Sequence, residues 1–294
     1  MNPPRQPTQV QNDRLLKLAT YASVLVALLL IALKALVWYM SGSVSLLASL
    51  IDSLMDAGAS LINLIAVAYA LTPPDKGHRY GHGKAEALAG LAQSVFIAGS
   101  ALLVLYQGID RLRNPQPLDA AWYGVAVMLL SIIATLLLLR FQARVIRRTG
   151  STAIRADALH YRSDLLMNGS IIVALLLAHY GIPGADALFG IAIALVIGFS
   201  AVRIGQDAVQ ILMDHELPDE VRKEALALAR AVPGVIDVHD LRTRQSGQQW
   251  FMQLHLELPG DLPLSEAHAL GEQVRLAIQK RYSRAEVLVH KDPV

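Results

Sequence analysis

The chain of 294 residues contains no cysteine. That excludes disulfides and thiolate metal ligands but leaves the cellular compartment open. Charge is scarce too. Asp, Glu, Lys and Arg make up 17% of the residues, against about 25% in an average soluble protein, and the shortfall is concentrated in the first two-thirds of the chain. Neither sign dominates. The net charge is +2, so there is no overall basic field to hold nucleic acid. The N-terminal stretch MNPPRQPTQVQNDR has no short apolar core and no small-residue cleavage site, and no cleaved signal peptide is expected. HExxH, the nucleophile elbow and the P-loop are all missing. Their absence argues against an intramembrane metalloenzyme and against an ATP-driven pump.

What the chain has instead is long apolar runs, in a composition that is 54% hydrophobic. A membrane helix needs about 20 mostly apolar residues. Leu15–Met40, Val44–Leu71, Ala85–Ile109 and Ala121–Leu139 meet this readily. Ala153–Tyr180, charged in its first half, and Ala185–Val202 meet it less well, giving six expected spans with both termini on one side. The connection between spans two and three carries Lys76, Arg79 and Lys84; that between four and five carries Arg140, Arg144, Arg147, Arg148 and Arg155. The opposite connections carry mainly Arg111 and Arg113, offset by Asp110 and Asp119. The excess of positive charge predicts cytoplasmic termini, and Trp38, Tyr39, Tyr106, Trp122, Tyr123 and Tyr180 fall where an outer aromatic belt belongs.

After about residue 209 the pattern changes. Pro218-Asp219-Glu220 opens an amphipathic helix to about Val232. Val235–Gln245 and Gln249–Pro259 read as strands around a Ser246-Gly247 turn, Pro263–Tyr282 as a second helix and Ala285–Lys291 as a third strand. The expected fold is therefore an all-α six-helix transmembrane domain plus a small cytoplasmic α+β domain of order αββαβ, ferredoxin- or metallochaperone-like. The expected boundaries are a flexible tail over 1–13, the membrane part over 14–208 and the cytoplasmic part over 209–294.

Charges inside the apolar runs carry the functional signal. Asp52 and Asp56 in span two, and His160 and Asp164 in span five, are each spaced i, i+4, so each pair shares a helix face. Ser45, Ser49, Ser60 and Asn63 extend the first stripe, and Asp157 and Asn168 the second. Intramembrane charges cost several kcal/mol, about 3 on insertion scales, and belong in a bundle interior. Three carboxylates and one imidazole suit tetrahedral Zn²⁺ and, without thiolates, admit Mn²⁺, Fe²⁺ and Cd²⁺. Such a set needs either a cation or protons in a low dielectric, the property that metal–proton exchange requires. Asp157 also reads as a helix-end charge beside Arg155, and Lys34 as a residue whose long stem reaches the outer interface. Four closed ligands argue against a channel, because tight coordination slows exit.

Two further groups stand out. Asp75, His78 and His82 follow span two at a spacing that suits three-ligand zinc binding if the loop is partly helical, with Gly81 and Gly83 permitting a tight turn around His82. The C-terminal part holds His239, His255, His268, His290 and Asp292, along with His215 near its start. Strand alternation puts His255 opposite Met252, Leu254, Leu256 and Leu258, and His290 on the same face as Asp292.

The strings SGSVSLLASLIDSLMDAGAS, PPDKGHRYGHGKAEALAGLAQS, IRADALHYRSDLLMNG, VHDLRTRQSG and VLVHKDPV resemble the cation diffusion facilitator family, in its bacterial zinc and ferrous-iron efflux branch, over nearly the whole chain. The resemblance implies a homodimeric, multi-pass antiporter of the bacterial inner membrane. It implies export of Zn²⁺, with Cd²⁺ and Fe²⁺ as related substrates, against inward protons. It assigns Asp52, Asp56, His160 and Asp164 to transport and Asp75, His78 and His82 to a loop metal. It assigns the C-terminal histidines to a binuclear site bridged by Asp292 at the dimer interface, and Lys84 and Asp214 to a charged interlock. His215 matches no metal position. Zinc enters as substrate and as a structural or regulatory ion, not as a cofactor. Zinc-selective animal relatives have His where Asp52 stands, which predicts broader selectivity here.

Overall fold

A computed structural model describes residues 7–41, 44–114, 122–179 and 185–294. Asp119 and Tyr180 lie outside the described residues, as do the side chains of Ser45, Asp52, Trp122 and Tyr123. The chain divides into two compact units. One comprises Asn12–Leu71 and Ala85–Val209; the other comprises Met1–Gln11, Thr72–Lys84 and Gln210–Val294.

The first unit is built from six long helices: α1 Pro7–Ser41, α2 Val44–Ala70, α3 Lys84–Arg113, α4 Trp122–Thr149, α5 Thr152–His179 and α6 Ala185–Leu212. α1 begins inside the segment expected to be a tail. Among the described residues, five of the six are long and apolar enough to cross a membrane. α5 has the same length as α4 and α6, 28 residues, but Arg155, Asp157, His160, Arg162 and Asp164 interrupt its apolar character. The polarity is inverted relative to a soluble bundle. Large apolar side chains such as Leu25, Ile62, Leu103, Leu137 and Phe199 are exposed, while Ser131, Thr135, Gln142 and Thr149 of α4 form a buried polar stripe. A helix surrounded by hydrocarbon gains little by hiding leucine and much by pairing polar groups.

Small residues let two helices approach closely. Ser94, Ala101 and Gly108 recur every seven residues on α3, facing Gly205, Gly198 and Ile191 on α6 in reverse order. A methyl group on Gly108 would stand 2.7 Å from Ile191, and one on Gly205 2.8 Å from Ser94. This is the small-residue packing that membrane helices favour. Two residues join α4 to α5. Gly150 takes φ +67°, the left-handed conformation that ends a helix. Ser151 Oγ then accepts the Ile154 N–H at 3.1 Å as an N-cap. The turn comes later than the charge pattern predicts. Arg140, Arg144, Arg147 and Arg148, expected in a connection, lie on α4.

The second unit follows the expected order. α7 Asp219–Arg230 and α8 Leu264–Arg281 pack with a sheet of β1 Asp237–Ser246, β2 Gln249–Leu258 and β3 Ala285–Pro293. The sheet order is β1-β2-β3, antiparallel then parallel. Met252, Leu254, Leu256 and Leu258 alternate into the core with Val238, Val274, Ile278 and Val287. Alternation sends Gln253, His255 and Glu257 to the opposite face.

Candidate metal centres

In the helical unit, α5 presents His160 and Asp164 one turn apart, and α2 presents Asp56 to them. His160 Nε2 lies 2.9 Å from Asp56 Oδ1 and 3.7 Å from Asp164 Oδ2, and His160 is only 7% exposed. One ligand atom from each of the three lies within 4.8 Å of the others. Asp52 sits one turn before Asp56 on α2; its side chain is outside the described part.

Next to this cluster is a buried polar network that spacing did not reveal. Asp157, 0% exposed, accepts from Ser23 Oγ of α1 at 2.6 Å, Gln142 Nε2 of α4 at 2.7 Å and Gln93 Nε2 of α3 at 3.4 Å. Tyr161 donates to the Ser23 carbonyl at 3.0 Å and meets Ser60 Oγ of α2 at 3.1 Å. Asp157 is thus not a helix-end charge held by Arg155, which pairs with Asp207 of α6 at 2.7 Å. Lys34 differs from expectation too. It donates to Ser53 Oγ at 2.7 Å and to the Ser49 carbonyl at 3.2 Å, tying α1 to α2.

Asp75, His78 and His82 also come together, without a helical turn. Asp75 Oδ1 accepts the backbone N–H groups of Gly77 at 2.8 Å and His78 at 2.6 Å, an Asx-turn. The His78 N–H chiefly holds the Asp75 carboxyl below its usual range. His78 Nδ1 stands 3.3 Å from Asp75 and His82 Nε2 3.4 Å. Gly83 serves a purpose the turn alone did not suggest: a side chain there would run into the Ser246 carbonyl, so the loop lies directly on the β1–β2 hairpin. Arg244 fastens it. Its guanidinium sits 4.5 Å from the Tyr80 ring centre and 4.8 Å from that of Phe251, and 3.5 Å from Asp214. Lys84 reaches the same Asp214 carboxylate at 3.0 Å and donates to the Leu212 carbonyl at 3.1 Å. Sequence reasoning named Lys84 and Asp214 and missed Arg244.

The third cluster follows from strand register. His239, His255 and His290 are direct neighbours across β1, β2 and β3, forming a row of imidazoles on the face turned from the core. Asp292 touches all three: His255 Nδ1 at 2.8 Å, His290 Nε2 at 3.1 Å and His239 Nε2 at 3.5 Å. The His255 hydrogen bond is the main reason the Asp292 carboxyl lies below its ordinary range. Two acids join that sequence reasoning missed. Glu257 lies 3.5 Å from His239, and Asp240, on a bulge with φ +45°, lies 3.8 Å from His255. The alternation that selected His255 also selects Glu257 two residues on. The bulge at Asp240 leaves no comparable trace. His268, exposed on α8, is not brought to the cluster.

Polar residues turned inward among lipid-facing helices, with oxygen- and nitrogen-rich clusters at their centre and in the attached domain, define a membrane carrier of divalent metal. The family described as the cation efflux transmembrane domain matches residues 20–213, and the cation efflux protein cytoplasmic domain matches residues 217–294. The chain belongs to this cation efflux family. It is 50% identical over 283 residues to a cation-efflux pump FieF of Yersinia enterocolitica, covering 96% of this chain and 94% of that one. It is also 50% identical over 280 residues to a FieF of Klebsiella pneumoniae, covering 95% and 93%. Among solved structures, the zinc form of the putative zinc transporter CzrB is similar over 27% of this chain and 92% of its own, at 30% identity and a TM-score of 0.26.

Proposed function

We propose that this transporter exports Zn²⁺ from the cytoplasm in exchange for protons, and carries Cd²⁺ and Fe²⁺ through the same donor set. In this reading the protein sits in a bacterial inner membrane with both termini cytoplasmic. α5 also crosses the membrane, which makes six spans, and two copies form the working unit. Asp52, Asp56, His160 and Asp164 hold the travelling ion. Asp75, His78 and His82 hold a second ion. His239, His255, His290 and Asp292 hold further metal in the C-terminal domain. His268 enters only as a ligand to metal shared with a second copy.

The observation that carries the reading is the position of His160 Nε2, buried and 2.9 Å from Asp56. A metal and a proton compete for the same ring nitrogen and carboxylate oxygens, because coordination requires the deprotonated ligand. Opening to the cytoplasm lets metal displace protons; opening to the outside lets protons displace metal. Alternating access then couples the two flows without ATP. The donors are nitrogen and oxygen only, which supports Zn²⁺ and the related cations over soft ions that need sulfur.

The test is proton flux in proteoliposomes under an imposed Zn²⁺ gradient. Protons should move against the zinc flow, and collapse of the proton gradient should slow zinc export. Zinc movement with no accompanying proton movement would overturn the exchange.

A further inference from the structure

A cavity of about 320 Å³ opens between α5 and α6, lined by Arg155, Leu159, Arg162, Arg203, Ile204 and Asp207. Ala156 and Leu159 of α5 share a buried apolar cluster with Ile197, Ala201 and Ile204 of α6, and Leu159 and Ile204 also line the cavity. Arg155 and Asp207 neutralise one another at 2.7 Å. Arg162 and Arg203 have no carboxylate within 4.0 Å among the described residues. The cavity therefore keeps two uncompensated positive charges.

The cavity is lined mainly by charged and polar side chains, Ser200 among them, but exposed apolar residues adjoin it on both helices. Arg203 is flanked on α6 by Phe199, 72% exposed, and Val202, with Val196 further along. Leu166 lies one turn beyond Arg162 on α5. These are side chains that face hydrocarbon. Arg162 and Arg203 stand about 14 Å along their helices from the end where α5 begins and α6 leaves the bundle. A guanidinium so placed must reach outward to the headgroup level or hold an anion. Two arginines converging on one cavity do the second better. Their planar forks match phosphate oxygens in bidentate fashion, and a basic pocket between membrane helices suits a lipid headgroup.

The geometry points to a binding site for an anionic phospholipid, its phosphodiester between Arg162 and Arg203 and its acyl chains along Phe199, Val202 and Leu166. The site rests on α5 crossing the membrane beside α6. Occupancy bridges the helix that bears His160 and Asp164 to its neighbour. The apolar rim distinguishes a lipid from free phosphate, which would gain nothing from it.

The test is native mass spectrometry of the full-length protein in detergent, incubated with phosphatidylglycerol or with phosphatidylcholine. Wild-type protein should retain phosphatidylglycerol in preference. Arg162→Gln with Arg203→Gln should weaken that retention at least about tenfold, the cost of losing charge-assisted hydrogen bonds. The double Arg→Lys variant, which keeps charge and loses the fork, should fall between the two, and it carries the test if the glutamine variant does not fold. Millimolar inorganic phosphate should not displace the lipid. Equal retention of both lipids, lysine-variant binding equal to wild type, or displacement by inorganic phosphate would overturn the site. A changed subunit count in the variants would assign the cavity to a second copy of the chain and overturn it equally.

Discussion

The cluster on α2 and α5 and the cluster on the three-stranded sheet use the same chemistry, imidazole and carboxylate, in opposite settings. The first is set by helical spacing, with His160 7% exposed; the second is set by strand register on an open face, where His239 is 44% exposed at its side chain. Asp56 and Asp164 are partly exposed, but they surround a buried imidazole among membrane-crossing helices, where charges are costly to leave unbalanced. This cluster therefore favours holding something, metal or protons. The sheet cluster has water as a third alternative and can stand empty at little cost. Favoured occupancy suits a carrier, which must exchange one passenger for another. Optional occupancy suits a sensor or a structural site that follows the metal level.

Breaking the membrane cluster should have the largest effect. Asp56→Ala removes the carboxylate that stands 2.9 Å from His160, and zinc flux in proteoliposomes is expected to fall to background while the protein stays folded in size-exclusion chromatography. Near-normal flux would erase the distinction between the two clusters.

His255→Ala or Asp292→Ala should lower metal affinity at the sheet cluster by at least the roughly 10–100-fold typical of a lost supporting partner, read by calorimetry on full-length protein. Flux should fall only partly. Replacing Asp75, His78 and His82 together should cost less flux than any single change at Asp56, His160 or Asp164, because the loop lies outside the helical unit. Complete loss of flux in that folded variant would reverse the ranking.

Arg244→Ala tests the contact of the loop with the hairpin. It removes two ring contacts and an ion pair, and should cost about 1–2 kcal/mol of stability, measured by denaturant unfolding. The smallest effect belongs to a pair far from any metal. Glu224 accepts from Arg281 at 2.7 Å and from the Tyr282 hydroxyl. The Arg281 bond chiefly holds its carboxyl below the ordinary range. The Tyr282 phenol is pushed up to about 12, by burial first and by Glu224 second. A raised phenol stabilises the fold fully below the unfolded value of about 10 and loses that contribution as pH rises through about 12. Glu224→Gln should move the tyrosinate step of Tyr282, identified by its loss in Tyr282→Phe, part of the way down in an absorbance titration.

Much of both clusters was legible because regular elements impose a period. The i, i+4 spacing paired His160 with Asp164, and alternation separated His255 from the leucines around it. What was not legible depends on partners distant in sequence. The donors that meet Asp157 come from Ser23, Gln93 and Gln142, on three other helices, and nothing near residue 157 announces them. Lys34 misled because acceptors it reaches, Ser53 Oγ and the Ser49 carbonyl, belong to α2. The arginines of α4 misled for another reason. Charge marks where water begins, and a helix can continue well past that level, as α4 does to Thr149. The loop at Asp75 needed no helix, because an Asx-turn brings its ligands equally near.

The bond from Lys84 to the Leu212 carbonyl joins residues 128 apart in sequence, and this bears on the order in which the protein assembles. Closing so long a loop is entropically costly and slow compared with local pairing. The β1–β2 hairpin, joined by Gly247 and Gln248, can form as soon as its own residues emerge from the ribosome. Lys84 meets Leu212 and Asp214 only after α3, α4, α5 and α6 have all been synthesised. The attachment of the α2–α3 loop to the hairpin is therefore a late event, completed after the helices it spans. The hairpin is made later still, so a chain interrupted just after Asp214 holds the partners of Lys84 but no hairpin for the loop to rest on.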